Sequence, residues 1–186
     1  MKSAFLILLL FFHPDFPIQK RTAAEAADRI LELVKNKSFK QLESEFLSDR
    51  EFFYKKYPGA PPGVYWDIDT KNGFELCLGE NSSYYKSPIS QIQNDTVNYL
   101  CYREEWNKKG VFVSKNPDNF NIASLMEYRN KYENGDYSIA EITLAKMVKS
   151  SGFRVVVTEY GIVFWIIEIN DQWQLYAIDY DVFCSV

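Results

Sequence analysis

The tightest constraint on what this chain can fold into lies in its C-terminal part. Four runs rich in branched and aromatic side chains follow one another there, at residues 139–148, 153–158, 162–169 and 173–180. Short sets of turn formers separate them: Lys149-Ser-Ser-Gly152, Tyr160-Gly161 and Asn170-Asp-Gln172. Strands joined by turns too short to hold a crossover must run antiparallel, so the region predicts a C-terminal β-meander. The first run has a second reading. Ser138-Ile-Ala-Glu141 has the spacing of a capping box and Gly152 suits a helix end, so residues 139–150 are read as strand with a helix as the alternative.

Upstream the period is helical. Thr22-Ala-Ala-Glu25 is a capping-box pattern, and Ala27, Ile30, Leu31 and Val34 follow at the spacing of one helix face, which predicts a helix over 23–35. Asn36-Lys37 interrupts it. Ser38-Phe-Lys-Gln41 then opens a second helix, with Phe39, Leu42 and Phe46 on its apolar side and an end near Asp49. Residues 51–57 are read as a further turn before the Pro/Gly-rich stretch 58–63. Beyond it, 64–69 and 74–78 predict a hairpin around Lys71-Asn-Gly73, because Asn-Gly readily adopts the left-handed backbone of a tight turn. Residues 96–103 and 111–114 read as another strand pair, and 120–132 as a helix. The expected class is α+β, with N-terminal helices packed on a curved antiparallel sheet that ends in a C-terminal β-meander.

Met1-Lys2-Ser3 precedes nine residues, 4–12, without a charged or polar side chain. A cationic start and a short apolar run match the leader of an exported protein. Residues 1–20 are therefore read as a signal peptide and 21–186 as a single domain, periplasmic or extracellular. A buried N-terminal element of a cytoplasmic protein is the alternative. The run is far shorter than the roughly 20 residues that span hydrocarbon, so no stable transmembrane anchor is expected. A formal charge of −4 gives no electrostatic ground for a nucleic-acid partner. Three cysteines allow at most one internal bridge. Cys77 and Cys101, both in strand-like stretches, are the first pair to consider, against three buried free thiols. Three glycosylation sequons are present, Asn36-Lys-Ser38, Asn81-Ser-Ser83 and Asn94-Asp-Thr96, a short pattern that often arises by chance in an asparagine-rich chain and matters only in a eukaryotic secretory pathway.

Ala27-Asp-Arg-Ile-Leu-Glu-Leu-Val34 with Phe39-Lys-Gln-Leu42, and the closing strands 162–169 and Trp173-Gln-Leu-Tyr-Ala-Ile178, set two helices before a meander. The last strand opens on a tryptophan after a turn, Asn170-Asp-Gln-Trp173. In this the chain resembles the nuclear transport factor 2-like superfamily, which includes SnoaL-like proteins. The resemblance covers about half the chain and implies a cone-shaped helix-on-sheet fold; the section 49–136 departs from it in length and in extra strands.

The only histidine is His13, inside the leader. A mature chain without imidazole lacks the usual base of Ser-His-Asp and Cys-His nucleophiles and the histidine ligands of zinc. No GxxxxGK[ST], GxGxxG or CxxC pattern is present. No cofactor and no metal are expected. What remains are acids and phenols. Alternation sets Asp179 and Asp181 in line with Trp173, Leu175 and Ala177, so Asp179 is the candidate general base with Tyr176 (or Tyr160) as its partner, unless both aspartates are solvated where the strand ends. Asp67 and Asp69 with Glu75 could hold a hard cation, but a solvated hairpin rim is the plainer reading. Tyr54, Tyr57, Tyr65 and Trp66, with Tyr84 and Tyr85, offer contact area for a protein or a glycan, or cover the core. The reading that results is an exported, non-catalytic binding or accessory domain for a protein or small apolar ligand. The alternatives are a small cofactor-free isomerase or dehydratase using a pocket Asp, and an inhibitor or immunity-type protein.

Overall fold

The computed structural model describes residues 21–47, 52–56, 63–67, 70–88, 90–115 and 120–179, with backbone alone for 52–56, 63–67, 76 and 77. The N-terminal segment 1–20 lies outside the described residues.

Helix α1, Ala23–Lys35, starts on the expected capping box: the Thr22 amide donates to Glu25 Oε2 at 2.6 Å, and the Glu25 amide donates to Thr22 Oγ1 at 3.3 Å. Lys37 takes a left-handed φ of 53° and turns the chain into α2, Phe39–Phe46. A fork closes the pair, with Arg29 Nη2 and Nε donating to the two oxygens of Glu45 at 2.8 and 3.2 Å. The Arg29 guanidinium holds the Glu45 carboxyl below the ordinary carboxylate range. A carboxyl whose folded pKa is depressed contributes stability above its unfolded value of about 4.3, and loses it as pH falls through the folded one. Glu45→Gln is expected to cost about 1 kcal/mol at neutral pH, and urea titrations at falling pH should show the gap to wild type closing below about pH 4. A gap that does not narrow as the pH falls would rule the fork out as its source.

The next elements depart from expectation. Phe52–Lys56 is a strand, β1, where a turn is expected, and it pairs antiparallel with β2, Gly63–Asp67. No hairpin forms around Asn72-Gly73. Thr70–Leu78 is a helix, α3, whose first residue is held by the α2 carboxylate: Thr70 N and Oγ1 donate to Glu43 Oε1 at 3.3 and 3.1 Å. Helical spacing also brings Phe74 and Leu78 onto the α1-side core, where Phe74 meets the Phe164 ring edge-on at 5.9 Å. A cap supplied from 27 residues upstream and a buried ring outweigh the local turn signal. Cys77 accordingly lies in a helix, not a strand.

After a short 3₁₀ turn at Ser83–Lys86 come β3 (Ile92–Asn94), β4 (Tyr99–Leu100), β5 (Glu105–Trp106) and β6 (Val111–Lys115). Strands β4 and β5 pair only with each other, so residues 96–103 do not pair with 111–114. Helices α4, Ile122–Tyr132, and α5, Ile139–Ser151, follow. The strand reading of 139–150 is thus corrected. The Ser138–Glu141 capping box forms, with the Glu141 amide donating to Ser138 Oγ at 3.2 Å. The closing strands are β7 (Phe153–Val157), β8 (Ile162–Ile169) and β9 (Gln172–Asp179).

The seven-stranded sheet has the order β2-β1-β9-β8-β7-β6-β3. The β6-β7-β8-β9 run is antiparallel, while β1 lies parallel to β9 and β3 parallel to β6, so the sheet as a whole is mixed. Alternating residues of the central strands feed two separate cores. Val155, Phe164 and Ile166 pack under α1, α2 and α3; Val156, Val163 and Trp165 pack under α4 and α5. The protein is α+β, with helices on both faces.

One bulge decides what faces where on the last strand. Trp165 pairs with Ala177 but Ile166 pairs with Leu175, leaving Tyr176 as the extra residue. Leu175 therefore faces the α1 side, whereas Ala177 joins the α4/α5 core and Asp179 lies opposite Val163 of that same core. The expected single line Trp173, Leu175, Ala177, Asp179 is broken between Leu175 and Ala177.

Candidate binding surface

Helices α4 and α5 are seated on the sheet by few residues: Ile122, Ala123 and Met126 of α4, and Ala145 and Val148 of α5. Their connection is tied by side-chain hydrogen bonds. Asn130 donates from Nδ2 to the Tyr137 carbonyl at 2.7 Å and accepts from the Tyr137 amide at 3.0 Å, while Asn134 supplies a φ of 55°. Apolar side chains run nearly all round α5, so those not turned to the sheet meet solvent. Ile139 is 85% exposed and Met147 45%; on α4, Tyr132 is 62% exposed and Tyr128 46%. Tyr128 and Tyr132, one turn apart, meet with ring centres 4.9 Å apart and planes tilted by 45°. Ion pairs Lys146–Glu127 (2.6 Å) and Arg129–Glu133 (3.2 Å) flank the patch and cancel within it. Of the large apolar side chains exposed among the described residues, only Tyr102 lies elsewhere.

A cleft of about 580 Å³ opens at the sheet end beside the β4–β5 hairpin, lined by Glu104, Glu105, Trp106, Lys109, Gly110, Thr158 and Glu159. Arg154, 5% exposed, fastens that hairpin to the sheet: Nη1 donates to the Val97 carbonyl at 3.0 Å and the guanidinium sits 5.6 Å from the Trp106 ring centre. Burial pulls the Arg154 pKa down from its ordinary value, and the Asp179 carboxylate opposes that shift. On the α1 side the crevice bordered by Leu31, Tyr84, Val111 and Tyr160 amounts to about 20 Å³, room for about one water and far short of the roughly 300 Å³ of a ligand pocket.

The sequence candidates separate on this scaffold. Asp179 is buried rather than solvated, and it lines neither cleft; as a neighbour of Arg154's charge it belongs to the α4/α5 core. Tyr176 is the bulge residue, buried with its ring 5.9 Å from Phe120. Tyr160 bonds Ser87 Oγ at 2.8 Å and packs edge-on against Tyr84 at 5.1 Å, pinning the 83–88 segment. Tyr84 is buried, donates to the Leu31 carbonyl at 3.2 Å and has its phenol pushed well up by burial. Tyr84 and Tyr85 are therefore part of the core cover. The side chains of Tyr54, Tyr57, Tyr65, Trp66, Asp67, Asp69 and Asp181 lie outside the described residues, and Asp67–Glu75 proximity across a hairpin lapses with the hairpin. No group of three or more His, Cys, Asp or Glu among the described residues could hold a metal. Cys101, in the exposed turn between β4 and β5, is disulfide-bonded; its partner, Cys77 or Cys184, lies outside the described side chains. Arg154 escaped the sequence reading. Its signal was a lone charge inside Phe153-Arg-Val-Val-Val157.

No helix among the described residues is long and apolar enough to cross a membrane. No protein-family model matches this chain, and neither a curated protein nor a solved structure does.

Proposed function

We propose that the chain is an exported, non-catalytic binding module that engages a protein partner through the outer face of α4 and α5. The observation that carries this reading is the gathering of Tyr128, Tyr132, Ile139 and Met147 on one helical pair whose connection Asn130 ties. Two packed helices present a convex surface, which suits a protein rather than a small ligand, since small ligands favour concave sites. Tyrosine and methionine are also the side chains that interfaces favour. The crevice on the α1 side, too small for a substrate among the described residues, supports a non-catalytic role, and the oxidised Cys101 supports export, because disulfides persist in oxidising compartments. Paired N-terminal helices on a sheet that closes in a meander support kinship with the nuclear transport factor 2-like superfamily; α4 and α5 on the other face are then this chain's own addition.

The double variant Tyr132→Glu/Ile139→Glu is expected to keep wild-type stability within about 0.5 kcal/mol, because both side chains already meet water. A photo-crosslinking residue placed at 147 should give a discrete protein adduct in the secreting cells or their medium. The same residue at 32, exposed on α1, should give none, and the adduct should disappear in the double variant. An adduct that survives it, or the same ladder from both positions, contradicts the assignment. Turnover of any substrate by the purified wild-type chain would defeat the non-catalytic part.

A further inference from the structure

We infer that Asn36, Asn81 and Asn94 are acceptors for N-linked glycans, and that the sugars cover the α1 face while leaving the α4/α5 face bare. The inference rests on the export reading for the chain's passage through a secretory lumen. A sequon by itself is weak, because glycans are added before folding is complete; the fold then acts as a filter, since a glycan survives only where its asparagine projects into solvent.

All three asparagines pass that filter. Each is exposed, and none of their side-chain amides makes a hydrogen bond among the described residues. Several asparagines outside the sequons are used differently. Asn107 accepts from the Asn98 amide at 3.0 Å, Asn130 clamps Tyr137, and Asn134 and Asn170 supply left-handed turns. The sequon hydroxyls are equally uncommitted. Ser38 makes no capping bond, and Ser83 and Thr96 are exposed.

Their placement is one-sided. Asn36 ends α1, and the next residue, Lys37, donates to the Glu80 carbonyl at 3.0 Å, which sets Asn36 close to Asn81. Asn94 stands two residues after Ile92 on β3; Ile92 packs on the α1-side core, so strand alternation puts Asn94 on that side too. None lies on α4 or α5. The surface read as the docking face thus stays free of sugar.

The chemistry is a group transfer. The asparagine Nδ2 forms a bond to the anomeric carbon of a lipid-pyrophosphate-linked oligosaccharide, the bond from that carbon to the pyrophosphate oxygen breaks, and the transferase base takes the amide proton.

The test secretes the chain from cultured eukaryotic cells in two forms: one with its own residues 1–20, one with residues 21–186 behind a proven leader. Secreted protein should lose three mobility steps on treatment with peptide N-glycanase. Asn36→Gln, Asn81→Gln and Asn94→Gln should each remove one step, as should Ser38→Ala, Ser83→Ala and Thr96→Ala, which leave the asparagine in place. The triple asparagine variant should be unmoved by the enzyme. Secreted protein at its unmodified mass overturns the inference, and a step that persists in one asparagine variant overturns that site. Retention of the first form inside the cell, with a glycosylated second form, defeats the export reading while the acceptor assignment stands.

Discussion

Trp165→Ala is expected to remove about 3–5 kcal/mol, because it empties the largest buried side chain of the α4/α5 core. Trp165 is 1% exposed in the central strand β8, and its ring meets Phe120 at 5.2 Å. It also sits opposite Ala177 at the bulge, where Tyr176 and Ala177 crowd the same face. A cavity there cannot be filled by collapse of one neighbour, since strands on both sides hold it open. Trp165→Phe should cost far less. The indole Nε1 has no hydrogen-bond partner among the described residues, and removing a buried unsatisfied donor recovers part of the roughly 1–3 kcal/mol that such burial costs. Urea unfolding of the three proteins measures both. Equal losses for Phe and Ala would mean that the donor is satisfied and the packing account incomplete.

The second large effect concerns Arg154 and Asp179. Both are buried on the α4/α5 side of the sheet, and the carboxylate is the charge that favours the ionised guanidinium against its burial. No ion pair joins the two among the described residues, so they couple through space, and removing either charge is expected to cost about 1–2 kcal/mol. Asp179→Asn should fall in that range. Arg154→Met should also lose the Val97 bond and release the β4–β5 hairpin, which near-ultraviolet circular dichroism of Trp106 would report. The double variant should cost clearly less than the two single losses added together. Strict additivity would show that the two charges do not interact and would leave Asp179 without the structural role assigned to it.

Parts of this molecule were legible because their signals are local. The capping boxes at Thr22 and Ser138 both form, each spanning four residues. At α5 that box competed with a run of branched and apolar residues, and the run misled because several of those side chains face solvent. The hairpin expected around Asn72-Gly73 failed for the opposite reason. Its turn signal was local, but Glu43 from α2 caps Thr70 and the α1-side core takes Phe74. Of the candidate site residues, Asp179 and Tyr176 were found as polar groups at the end of an apolar strand. Their environment was misjudged, because one extra residue in β9 reverses the alternation beyond it. The exposed face of α4 and α5 could not be read at all while 139–150 passed for a strand.

What the amino-acid order settles alone is what depends on neighbours within a turn or two: the α1–α2 pair, the three closing strands, and a chemistry whose single imidazole stands at position 13. Tertiary structure decided the rest. Phe53 lies beside Ala177 in a parallel pair, and Arg154 reaches the carbonyl of Val97. Which face each strand presents, and which helix surface stays uncovered, follows from burial satisfied jointly by segments far apart in the chain, and no short window of sequence contains that energy.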